Sequence, residues 1–86
     1  MARYEIRIKP SAVKELENLG TKKIRQKIVK CIQNLGKNPF SVGSRKLSGY
    51  DKYRVRIGDY RILYTVEAAR LIVHLIKISH RKDVYR

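Results

Sequence analysis

Hydrophobic and polar residues alternate along the chain with two different periods. Tyr4-Glu5-Ile6-Arg7-Ile8 changes sides at every step, which predicts a half-buried strand. Pro10 and Ser11 then open a short helix with Val13, Leu16 and Leu19 on one face, closed by Gly20 in the C-terminal cap position. From Thr21 the apolar residues Ile24, Ile28, Cys31, Ile32 and Leu35 keep the 3.6-residue period up to Gly36. The short joint makes these two helices an αα-hairpin. Asn38-Pro39 and Gly43-Ser44 mark a loop, and Lys46-Leu47 is a candidate start of a short strand. Period two returns over Lys52 to Ile57, Tyr60 to Val66 and Leu71 to Ser79, with a turn over Glu67 to Arg70. The order β-α-α-β-β-β predicts one α+β domain over residues 1–86: an antiparallel twisted sheet with the N-terminal helical hairpin packed on one face. No repeat or low-complexity linker divides it.

The hairpin KYRVRIGDYRILY carries a feature that folding alone does not call for. With Gly58-Asp59 as a two-residue type II′ turn, Ile57 faces Tyr60 and Arg56 lies directly opposite Arg61, with Arg54 one step along on the same face. Like charges opposite one another destabilise a sheet. Tyr53, Val55, Ile57, Tyr60, Ile62 and Tyr64 supply the face that the helices cover, so Lys52, Arg54, Arg56 and Arg61 gather on the open one.

Charge extends the pattern to the whole chain. Lys and Arg number 21 against 7 Asp and Glu, a formal charge of +14, which repels itself and calls for an anionic partner, nucleic acid or acidic protein. A membrane partner fits poorly, because no stretch pairs a Trp- or Phe-rich face with a lysine face and no apolar run reaches spanning length. The lone Cys31 excludes an internal disulfide and a cysteine zinc cluster, and its spacing predicts a small buried apolar residue. No signal-peptide core interrupts the charged N-terminus, so a cytoplasmic protein is expected.

Three motifs make the chain similar to a known family: Lys46-Leu47-Ser48-Gly49 followed by Tyr53-Arg54-Val55-Arg56, then Gly58-Asp59-Tyr60-Arg61-Ile62-Leu63-Tyr64, and finally His80-Arg81-Lys82-Asp83-Val84-Tyr85. Together they resemble the RelE-like toxins of bacterial and archaeal toxin–antitoxin modules, over essentially the whole length. The middle motif is shared with the related ParE-like gyrase poisons, whereas Arg81 and Tyr85 point to the ribonuclease branch. The resemblance implies an endoribonuclease that enters the ribosomal decoding site and cuts messenger RNA, without metal or cofactor, through attack of the ribose 2′-hydroxyl on the adjacent phosphate. It implies catalytic roles for Arg61 on the scissile phosphate, Arg81, and Tyr85 as general base. It implies phosphate or RNA binding by Lys46, Lys52, Arg54, Arg56, His80 and Lys82. Arg54 and Arg56 stand where well-known members carry lysines, and the chain stops one residue after Tyr85. The implied partners are an acidic RelB-like antitoxin, the ribosome with its message, and operator DNA through the antitoxin complex only.

The chemistry is consistent with those assignments. Cleaving RNA through its own 2′-hydroxyl needs a base, positive charge for the phosphorane and support for the departing 5′-oxygen. Arg56 and Arg61 with Arg81 nearby form a fork for non-bridging oxygens, or alternatively splay into solvent or meet an antitoxin carboxylate. Tyr85 as base requires cations such as Arg81, Lys82 and Arg86 to favour its phenolate. His74 is expected to be structural, no His-Glu pair is evident, and Glu15 and Glu17 point different ways on their helix. A non-enzymatic binder remains the alternative: a ParE-like poison of DNA gyrase, or an inactive relative that binds the antitoxin.

Overall fold

The computed structural model describes residues 3–40, 44–47 and 52–80. Strand β1 (Glu5–Ile8) leads into helix α1 (Pro10–Glu17) and helix α2 (Lys22–Lys37). Strands β2 (Ser44–Lys46), β3 (Lys52–Ile57), β4 (Tyr60–Glu67) and β5 (Ile72–His80) follow, with a 3-10 turn over Ala68–Arg70 before the last. The sheet order is β1-β5-β4-β3-β2.

The sheet is mixed, where wholly antiparallel pairing was expected. β2–β3, β3–β4 and β4–β5 are antiparallel, but β1 runs parallel to β5, with Ile6 against Val73 and Ile8 against Leu75. The helical hairpin carries the chain from β1 at one edge of the sheet to β2 at the other, and the antiparallel run β2-β3-β4-β5 brings it back beside β1, which leaves β5 parallel to it. Alternation in a four-residue strand carries no direction, so the sequence pattern is equally compatible with either pairing. β1 covers only the first half of the edge of β5. Beyond it α1 takes over, and Glu15 accepts a hydrogen bond from the backbone N–H of Ile78 at 3.0 Å while its other oxygen takes the Lys77 ammonium at 2.8 Å.

Both helices differ from expectation at their glycines. Thr21 caps α2 as predicted, its hydroxyl oxygen accepting from the Ile24 N–H at 3.2 Å. The helix then runs through Gly36 to Lys37, because Gly36 is a site of close approach rather than a stop: its carbonyl accepts from Tyr4 N–H at 2.8 Å, and a Cβ there would lie 3.3 Å from the Tyr4 carbonyl oxygen. α1 ends at Glu17 with Asn18 as its C-cap, short of Gly20. Its buried residue is Ala12, with Leu16 and Leu19 partly covered, whereas Val13 is exposed. The inward face thus keeps the predicted Leu16 and Leu19, with Ala12 in place of Val13.

Helix residues Ala12, Ile28, Ile32 and Leu35 meet sheet residues Val55, Ile62, Tyr64, Val73, Leu75 and Ile78 in one core. Tyr64 is fully buried and donates its hydroxyl to the Pro39 carbonyl at 2.6 Å, with Tyr53 stacked on it at 5.7 Å between centroids. This anchors the loop after α2 to the middle of the sheet. Burial pushes the Tyr64 phenol above its ordinary value of 10. Cys31 is half-covered rather than fully buried, beside Lys27, Lys30, Asn34, Leu35 and Ile57, and burial raises its thiol, opposite to what a nucleophile needs.

Candidate functional site

The β3–β4 hairpin holds the register that its turn predicts. Ile57 pairs with Tyr60 and Arg56 with Arg61, around a two-residue loop in which Gly58 has φ +57. Among the described residues Asp59 has no positive φ, so the glycine alone bears the left-handed conformation, as a II′ turn requires. Directly opposed residues share a face and sit about 4.5–5.5 Å apart. The arginines of this end are thus held beside one another by backbone pairing.

The pairing extends the cluster across the open face in rows. Arg45 of β2 lies opposite Arg54 of β3, which lies opposite Leu63 of β4. Arg56 and Arg61 form the next row towards the turn, ending on Ser79 of β5, and Lys52 faces Thr65, which faces His74, in the row on the other side. The expected Lys52, Arg54, Arg56 and Arg61 are all brought together. Arg45 was missed because Gly43-Ser44 reads as loop and because alternation counted back from Arg54 selects Lys46 instead; the cross-strand register of β2 on β3 is what places Arg45 beside Arg54.

Two expected members lie elsewhere. Lys46 opposes Tyr53, and directly opposed residues share a face, which places it on the helix side at the edge strand. His80 opposes Tyr60 and packs edge-on against its ring at 5.0 Å and 90°, again on the helix side rather than among the arginines. Arg81, Lys82 and Tyr85 lie outside the described residues.

The far end of the same open face is organised by acids. Glu5 accepts from Arg7 Nε at 2.6 Å, and Glu67 meets Arg70 at 3.2 Å through one oxygen and His74 Nε2 at 2.7 Å through the other. A His-Glu pair therefore does exist, formed diagonally across β4 and β5, where the sequence spacing does not reveal it. The His74 hydrogen bond, aided by Arg70, holds the Glu67 carboxyl below its ordinary value of 4.5, and Glu5 raises the Arg7 guanidinium above its own. Lys77 is turned to Glu15 beside a bulge at Ile76, the residue skipped between the pairs Leu63–Lys77 and Tyr64–Leu75. By register, Glu5 and Glu67 thus lie at the other end of the open face from the Arg56–Arg61 row. An anion at the hairpin end meets a face with charge-assisted donors on three adjacent strands.

Among the described residues no group of His, Cys, Asp and Glu side chains gathers as a metal site, and no helix is long and apolar enough to cross a membrane. Residues 6–85 match the family model of the ParE toxin of type II toxin–antitoxin systems. The chain is a RelE-like toxin of the RelE/ParE superfamily. Among RelE-like proteins it is 28% identical to toxin RelG of Mycobacterium tuberculosis over 86 residues, covering 96% of this chain and 97% of that one. It is 31% identical to a putative RelE-like toxin protein of Escherichia coli, covering 96% and 90%. The RelE fold is matched by the crystal structure of the archaeal RelE–RelB complex of Pyrococcus horikoshii at a TM-score of 0.83, 29% identity, and coverage of 94% of this chain and 97% of that chain.

Proposed function

We propose that this toxin is a ribosome-dependent endoribonuclease that cuts messenger RNA in the decoding site by metal-independent 2′-hydroxyl attack. The observation that carries the reading is the direct opposition of Arg56 and Arg61, with Arg54 and Arg45 in the adjoining row, on the face the helices leave open. A phosphate held there cancels a repulsion built into the hairpin, and the same charges stabilise the phosphorane more than the ground-state diester. In the reaction the 2′-oxygen bonds to phosphorus as its proton goes to the base, and the bond to the 5′-oxygen breaks, leaving a 2′,3′-cyclic phosphate and a 5′-hydroxyl that takes up a proton. Arg61 contacts the scissile phosphate; Arg54, Arg56 and Lys52 hold its flanks. Arg81 stabilises the leaving oxygen, since a guanidinium gives up a proton too reluctantly to be the acid. Tyr85 is assigned as the base, with Lys82 contributing to the field that favours its phenolate.

A partner must restrain such an activity. An acidic RelB-like antitoxin is proposed, supported by the presence of RelB with the RelE relative of Pyrococcus horikoshii and by the +14 charge of this chain. Operator DNA is reached through that complex, and the site of action is the cytoplasm. The family description that matches names ParE, which favours gyrase poisoning as the second reading. Mapping messenger 5′ ends after induced expression, beside a gyrase supercoiling assay, separates the two. New ends within translated codons with unchanged supercoiling support the nuclease; trapped gyrase with intact messages refutes it.

A further inference from the structure

Helix α2 carries a second basic surface on the opposite side of the molecule from the arginines. Its sequence KKIRQKIVKCIQNLGK contains no acidic residue. Ile28, Ile32, Leu35 and Gly36 are buried against the sheet, while Lys23, Lys27, Lys30, Gln33, Asn34 and Lys37 are exposed. Lys23, Lys30 and Lys37 recur at heptad spacing, so they stand almost in line along the outward face, about 10.5 Å apart at 1.5 Å per residue. Lys27 flanks that line. Like charges stacked on a helix face destabilise it, and cations in its first turn oppose the macrodipole. As with the hairpin arginines, the arrangement makes sense when an anion completes it.

We infer that this face of α2 binds the phosphate–ribose surface of duplex RNA, as a contact separate from the open sheet face. The chemistry of the stripe selects that occupant over an acidic protein. Protein interfaces have aromatic or aliphatic anchors at their centre and are poor in lysine there. Here the line of lysines is interleaved with Gln26, Gln33 and Asn34, and its exposed apolar neighbour, Val29, lies to one side. Flexible ammonium groups grip phosphates without reading sequence, and side-chain amides suit phosphate oxygens and ribose 2′-hydroxyls across an A-form minor groove. The sheet face, by contrast, presents planar guanidinium groups suited to one phosphate approached at short range.

The test compares two variants of equal charge. Lys23→Gln/Lys30→Gln/Lys37→Gln removes the stripe, and Lys9→Gln/Lys14→Gln/Arg70→Gln removes three cations elsewhere; circular dichroism melts confirm that both fold. Each is titrated against a short mixed-sequence RNA duplex, the matching single strand and poly-L-glutamate over a range of salt. The stripe variant is expected to lose at least about tenfold in duplex affinity at 0.1 M salt, with a log–log salt slope shallower by about 2 to 3, while the control changes far less. Equal losses in both variants would reduce the effect to net charge and overturn the inference. So would an unchanged duplex slope accompanied by lost poly-L-glutamate binding, which would assign the face to an acidic protein. The result is independent of cleavage: duplex binding through α2 by a protein that cuts no message would refute the nuclease reading alone.

Discussion

The β3–β4 hairpin has two faces made by the same backbone, and they serve opposite ends. On the covered side Val55, Ile62 and Tyr64 are buried in the core, with Tyr53 stacked on Tyr64 and the Tyr64 hydroxyl engaged. On the open side Arg54, Arg56 and Arg61 are set against one another by the same register. One face accumulates favourable contacts while the other concentrates like charge. The difference teaches that strand alternation separates core packing from surface charge residue by residue, so a change on one face need not disturb the other.

The sharpest way to break this comparison is to exchange the consequences. Arg61→Ala is expected to lower cleavage on programmed ribosomes by about two to three orders of magnitude, as loss of a preorganised donor does, without lowering the melting temperature. Loss of fold in that variant would mean that the open face is structural after all. Tyr64→Phe should do the reverse: it leaves the Pro39 carbonyl without its donor and costs about 1–3 kcal/mol in denaturant melts, with cleavage by the folded fraction unchanged. A smaller effect of opposite sign is expected for Arg56→Thr, which ends the direct opposition and should raise stability by a few tenths to about 1 kcal/mol while weakening RNA binding. A melt that moves downwards would show that the two guanidinium groups do not repel.

The open face also has an end that serves the fold, and pH exposes it. Glu67 is held below its ordinary carboxyl value first by its hydrogen bond with His74, so the stability it contributes is present above about pH 4.5 and is lost as the pH falls through the lowered value. Glu67→Gln should therefore flatten part of the acid limb of a stability–pH curve and leave cleavage near neutrality within a factor of about two, the smallest of these effects. An unchanged acid limb would detach Glu67 from the fold.

Legibility followed the range of the determining interaction. The Arg56–Arg61 opposition was readable because a two-residue turn fixes register locally, and helix α2 was readable from its period and its Thr21 cap. The parallel seat of β1 was not, since it depends on a partner strand some 67 positions later, as in Glu5 against Ile72. Gly36 misled for the same reason: only the approach of the Tyr4 backbone distinguishes it from a helix stop. Arg45 and the His74–Glu67 pair were hidden because each needs a cross-strand neighbour to declare its face. His80 followed its register to Tyr60, and Lys46 followed its own to Tyr53, each away from the arginines.

The central claim is that a chain rich in phosphate-binding charge leaves the alignment of its substrate to the ribosome. Positioning of that kind is worth up to about 7–11 kcal/mol. Single-turnover cleavage of one messenger, free in solution and bound in programmed ribosomes, measures it directly. The account predicts negligible cutting of the free RNA and a single efficient cut within the decoding-site codon of the ribosome-bound RNA. Equal rates in the two states would mean that the protein carries its whole active site alone, and would contradict it.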